Sequence, residues 1–169
     1  MALFRADNLR PFGWTDFPSK NTLGRMGEHQ QAMAFFLSEA PTRFGFLEAA
    51  GFRRESLREG YVQGYHFIGR HVGIEVQMEI RDLVPWVYVY RLVNGRPPED
   101  LRRDVAGRTV RVILHEACRR AGVRADPASA VPKPRRMDAE QEIVAILEHQ
   151  AAVLRAYPKV YADRADLLD

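Results

Sequence analysis

The sequence predicts an α+β fold: an antiparallel sheet of three to four strands flanked by helices, with an irregular N-terminal arm and a C-terminal amphipathic helix behind a proline-rich linker. Three observations carry this. Val72, Ile74, Val76, Met78 and Ile80 alternate with Gly73, Glu75, Gln77, Glu79 and Arg81, the period-two pattern of a strand with one apolar and one polar face. Runs of aromatic and β-branched residues flank it, Tyr61 to Ile68 before and Trp86 to Val93 after, set off by Gly69-Arg70-His71 and by Asp82-Leu83-Val84-Pro85. On either side of this meander the apolar residues take up a helical period instead.

Met1 to Arg25 carries Phe4, Phe12, Trp14 and Phe17 without any regular period, which reads as an arm whose aromatics lie on its own domain or on another chain. Glu28 to Glu39 has the helix period, with Ala32, Phe35 and Phe36 on one stripe, and Ala40-Pro41 is expected to stop it. Arg43 to Ala50 reads as a short helix ended by Gly51, after which Phe52 enters the core. Arg53, Arg54, Glu55, Arg58 and Glu59 read as a solvated connection to the first strand. Pro97-Pro98-Glu99-Asp100 makes a good helix start, and a helix is expected to run on through Arg120 to Ala121-Gly122. Within it, the alternation of Val110 to Leu114 also fits a further strand.

Pro127, Pro132 and Pro134 mark a semi-rigid linker. Asp138 caps the last helix, on which Ile143, Leu147 and Leu154 form an apolar stripe. The expected division is therefore an arm at 1–25, a core domain at 26–123, a linker at 124–137, and a helix with tail at 138–169. The stripe of the last helix packs back on the sheet or pairs with a second copy or another protein.

Composition narrows the function classes. The net charge is +3, and 22 of the 25 basic residues are arginine, so the basic pI of about 9.2 does not demand nucleic acid. Cys118 is the only cysteine, which rules out an internal disulfide and a multi-cysteine metal site and makes a cytoplasmic location the expectation. No run approaches the roughly 20 apolar residues needed to span a bilayer, so no membrane partner is expected.

No constellation makes a specific catalytic signature, and no catalytic residue, metal or cofactor is assigned. Glu75, Gln77 and Glu79 project from one strand face about 7 Å apart, a spacing at which carboxylates hold a divalent ion in some nucleases. His115-Glu116 matches half of a zinc-hydrolase helix motif, but Arg119 stands where the second histidine belongs. The arginines from Arg102 to Arg136 would suit a phosphate backbone, yet Glu99, Asp100, Asp104 and Glu116 interleave with them as ion-pair partners would. The strongest candidate is the sheet face of Glu75, Gln77, Glu79 and Arg81 with, in one register, Tyr61, Tyr65, Trp86, Tyr88 and Tyr90. Tyrosine and tryptophan among carboxylates make a surface for another protein, a basic one by charge. The alternative is that a helix covers this face and the aromatics belong to the core.

The order of a helix, Phe46-Leu47-Glu48, Gly51-Phe52, Tyr61 to Phe67, Gly73-Ile74-Glu75-Val76 and Val87-Tyr88-Val89-Tyr90 resembles small bacterial α+β proteins of the immunity type, which neutralise polymorphic toxins. The likeness covers roughly Gln30 to Leu92 and brings no catalytic motif with it. It implies a non-enzymatic module that binds and inhibits a partner protein through its sheet face. The alternatives are a nucleic-acid-binding or metal-dependent nuclease-like protein, and a structural subunit, a homo-oligomer included, held through Ile143, Leu147 and Leu154.

Overall fold

The computed structural model describes residues 20–98, 110–123, 138–161 and 168. Helix α1 spans Lys20–Phe44, a short α2 spans Phe46–Ala49, and five strands follow: β1 Arg53–Glu59, β2 Val62–Ile68, β3 Val72–Glu79, β4 Pro85–Arg91 and β5 Arg111–Ile113. Helix α3 (Leu114–Arg120) continues directly from β5, and α4 (Ala139–Ala156) ends in a 3-10 turn at Pro158–Val160. The strands form one antiparallel sheet in sequence order, each paired with the next.

The α+β class and the antiparallel meander agree with the sequence expectation, but the sheet has five strands where three to four were predicted. Beyond the three-stranded meander, one strand comes from a segment read as a connection and the other from a segment left open between helix and strand. Arg53–Glu59, taken for a solvated connection, is edge strand β1, in which only Leu57 is buried. Its charges suit the position, because an edge strand presents unpaired backbone groups that charged side chains keep from pairing with other chains. Arg111–Ile113 is β5, so the helix expected to run through to Arg120 begins only at Leu114. Val112 pairs with Val89 and faces the core, which the alternation of Val110 to Leu114 allowed for.

Helices α1 and α4 cover one face of the sheet. On α1, Ala32, Met33, Phe36, Ala40 and Phe44 recur every three to four residues and are buried. On α4, Ile143, Leu147, Ala151 and Leu154 do the same and are fully buried. These stripes close over Phe67, Ile74, Val76, Met78, Val87 and Val89 of the sheet to make the core. Gln31 meets Glu140, Arg43 meets Glu148, and Arg155 donates to the Arg43 carbonyl at 2.7 Å. Such contacts advance together along both helices, which therefore run side by side in the same sense. Asp138 caps α4 as expected, its carboxylate accepting from the Gln141 amide at 2.9 Å.

The apolar stripe of α4 is thus spent inside the chain. Of the two readings given for Ile143, Leu147 and Leu154, the structure has them packed back inside the chain, wholly buried against its own helix and sheet, and not free for a second copy or another protein. Helix α4 belongs to the same core as α1 and the sheet. Two boundaries move. Helix α1 already runs from Lys20, and it continues through Pro41 to Phe44 instead of stopping at Ala40. Gly51, with φ of +94°, ends α2 in the left-handed conformation, and Phe52 behind it is buried as predicted. The remainder of the N-terminal arm, the Glu99-Asp100 helix start and the linker at 124–137 lie outside the described residues.

Candidate functional site

The face of the sheet away from α1 and α4 is built from the other half of each strand's alternation. Register sets its side chains in rows. Arg53, Ile68, Gly73, Tyr90 and Arg111 form one, Glu55, His66, Glu75, Tyr88 and Ile113 the next, Leu57, Gly64, Gln77 and Trp86 a third, and Glu59, Val62 and Glu79 the last. Glu75, Gln77, Glu79, Trp86, Tyr88 and Tyr90 thus share one face, as the sequence proposed. Tyr65 does not. It pairs with Val76 on the helix-covered face, where its hydroxyl donates to the Leu37 carbonyl at 2.8 Å. Arg81 lies just past the end of β3, with its guanidinium 4.1 Å from the centroid of the Tyr61 ring.

One end of this face is closed. Glu75 is only 6% exposed and Tyr90 is fully buried. The Tyr90 ring lies across Gly73, where a Cβ would come within 2.2 Å of it, so the absence of a side chain at 73 makes its seat. Arg111 reaches from β5 across β4 to β3, its guanidinium 4.1 Å from the Tyr88 ring centroid. It donates to Glu75 Oε1 at 2.5 Å and to Gln77 Oε1 at 3.2 Å. A carboxylate with so little access to water needs such a partner.

His66 completes the closed end. Its ring meets that of Tyr90 edge-on at 5.6 Å, and its Nδ1 stands 3.9 Å from Glu75 Oε2, beyond hydrogen-bond distance. Burial lowers the His66 pKa from its ordinary value, the Arg111 charge lowers it further, and Glu55 opposes both. The imidazole is therefore neutral at neutral pH. Burial raises the Tyr90 phenol far above its ordinary value, helped by the Glu75 and Glu55 charges, so the hydroxyl keeps its proton. Neither Tyr90 Oη nor His66 Nδ1 has a hydrogen-bond partner among the described residues.

The other end is open. Trp86 is 38% exposed beside a half-buried Gln77, Glu79 and Glu59 border Val62, and Tyr61 is 58% exposed on the turn between β1 and β2. The carboxylates considered for a divalent ion are divided between the two ends, with Glu75 held by Arg111 and Glu79 near the rim. Among the described residues no group of three or more His, Cys, Asp or Glu side chains is placed to share a metal ion.

No family model matches the chain, and no curated protein or solved structure matches it either. The site therefore rests on its own geometry. Sequence reasoning missed Arg111, which falls within the helix expected to run through Arg120, and His66, to which it gave no role. The strand alternation of Val110 to Leu114 was the available signal for Arg111, since it turns residue 111 toward the polar face. Among the described residues no helix is long and apolar enough to cross a membrane.

Proposed function

We propose that this chain is a non-enzymatic protein-binding module that docks a partner on the open end of its sheet, with Trp86 as the apolar anchor. The exposure of Trp86 on a strand face whose other aromatics are withdrawn carries the reading: a large indole held by a rigid sheet offers contact area at little entropic cost. Glu59 and Glu79 border the same end, while Arg81 is engaged with the Tyr61 ring. The surface therefore suits a partner that presents an apolar residue ringed by basic side chains. The resemblance to immunity proteins supports a partner that is inhibited on binding, which would make it a basic toxin. The closed end stiffens the platform, because Arg111 ties β5 to β3 across β4.

The test is affinity capture from host lysate with the wild type, Trp86→Ala and Glu79→Lys in parallel, followed by a titration with the purified captured protein. A partner held by the wild type and at least tenfold more weakly by both variants is the expected result. Equal affinity for all three, or a partner still bound when the sheet face is blocked, overturns the reading.

A further inference from the structure

Between α1 and α4, on the side of the sheet opposite to the Trp86 face, a groove of about 470 Å³ stays open to solvent. Its floor is apolar, made by Phe35 of α1 and by Val144 and Ala145 of α4, each half-buried. Asp138, Glu140 and Glu148 line the same groove. Asp138 caps α4, and Glu140 accepts from the neutral amide of Gln31 at 3.3 Å. Glu148 meets Arg43 at 3.5 Å, but that guanidinium also bonds Glu39, and the Glu148 side chain is still 64% exposed. Among the described residues Arg43 is the one cation paired with any of the three carboxylates. The amides that open α4 favour Asp138 and Glu140, whereas Glu148 lies two turns beyond them and draws nothing from that end of the helix.

We propose that this groove docks a basic amphipathic helix of a partner protein, with its apolar side chains seated on Phe35, Val144 and Ala145 and its lysines or arginines against Glu140 and Glu148. The groove is too open to enclose a small molecule, which a binding cleft must largely bury. It is bounded by helices and offers no strand edge, so an extended peptide would bring backbone N–H and C=O groups to an apolar floor without partners. A helix bonds its own. Glu140 and Glu148 are eight residues apart on α4, about 12 Å along its axis. The matching helix therefore carries basic residues about two turns apart, with apolar residues at the turn between them. The stems of such side chains cover apolar surface while their charged ends reach the carboxylates, and an acidic helix would meet repulsion at both ends instead. Because Trp86 faces the other way, the inference holds whether or not the sheet face binds a protein.

Nuclear magnetic resonance on the full isotope-labelled chain tests it, by titration with a synthetic alanine-rich helical peptide that carries leucines at its centre and lysines about two turns apart. The expected result is a set of amide shifts centred on Phe35, Val144 and Ala145, with binding that weakens as salt rises. Affinity should fall about tenfold in Glu148→Lys, a change at an exposed position, and should match the wild type in Trp86→Ala. The same peptide with glutamates in place of its lysines should leave the groove signals still. No shift at the groove with peptide up to about 1 mM, equal binding of the glutamate peptide, or wild-type affinity in Glu148→Lys overturns the proposal. Shifts gathered around Trp86 place the peptide on the sheet face and overturn it too, as does self-association of the free chain that Glu148→Lys abolishes, since a second copy is then the occupant.

Discussion

The Tyr65 hydroxyl donates at 2.8 Å to the carbonyl of Leu37, the group that Pro41, four residues further along α1, has no N–H to bond. A proline inside a helix removes one backbone donor and leaves the carbonyl one turn back without its partner. Here the sheet supplies the donor, which helps explain how α1 carries Pro41 and still reaches Phe44. Tyr65→Phe is therefore expected to cost about 1 kcal/mol in chemical denaturation. In a Pro41→Ala background, where the helix regains its own N–H, the same change is expected to cost less than half as much. Equal losses in the two backgrounds would show that the hydroxyl and the proline are independent.

Arg111 and Glu75 make the second relationship on which the sheet depends, and it predicts an asymmetry between single and double changes. Glu75→Ala leaves a guanidinium without its carboxylate on a mostly buried face, and a loss of about 2–3 kcal/mol is expected. The lower part of the usual range applies because the Arg111 side chain keeps some exposure. Adding Arg111→Met removes the other half of the pair, so the double variant should lose less than the sum of the two single losses. Additive losses in denaturant titrations would mean that the pair is not the source of either effect.

These two relationships mark where the sequence was legible. The alternation of Val72 to Arg81 named β3 and both of its faces, because a half-buried strand must alternate and its neighbours inherit the pattern through register. The caps of α2 and α4 were readable as local chemistry at Gly51 and Asp138. Edge strand β1 was not, because its charges look the same on an edge strand as on a loop. Pro41 was misread because its local rule is a helix stop, and the donor that relieves it is Tyr65, 28 residues beyond the Leu37 carbonyl that it bonds. Half of the closed end was hidden for the same kind of reason: Glu75 was visible as a polar-face carboxylate, but its partner Arg111 follows 36 residues later on a strand of three residues.

Tyr90 and the glycines beneath the sheet face predict three different outcomes. Tyr90→Phe removes a buried hydroxyl with no hydrogen-bond partner among the described residues, so stability should be unchanged or rise by up to about 1 kcal/mol. A loss of more than about 1 kcal/mol would show that the hydroxyl does structural work. Gly73→Ala drives a Cβ into the Tyr90 ring, a side chain that can shift only by giving up its buried seat, and about 1–3 kcal/mol should be lost. Gly64→Ala should be worse, because its Cβ would meet the Val76 carbonyl oxygen of β3 at 2.0 Å and only the backbone pairing could yield. The order Gly64→Ala, Gly73→Ala, Tyr90→Phe in falling cost is the measurable prediction.

His66 on β2 and Glu116 on α3 should divide the acid limb of the stability curve between them. His66 has its pKa lowered in the folded chain, chiefly by burial, so below pH 6.5 the unfolded chain takes up a proton that the folded chain resists. Its contribution is complete above that value and is lost as pH falls through the folded pKa. Glu116 on α3 accepts from Arg119 Nε and Nη2 and from Arg120 Nε at 2.7–2.8 Å, and these bonds, that from Arg119 foremost, hold its carboxyl at about 2 against an ordinary 4.5. Its contribution is complete above 4.5 and is lost between there and about 2. His66→Gln should therefore flatten the curve of denaturation midpoint against pH from 6.5 downward, and Glu116→Gln should flatten it only below 4.5. Salt separates the two further: the Glu116 cluster is on the surface and screened, so its share should shrink at high ionic strength while that of His66, set mainly by burial, persists. A His66→Gln curve that runs parallel to the wild type between pH 7 and 5 would place the imidazole in water.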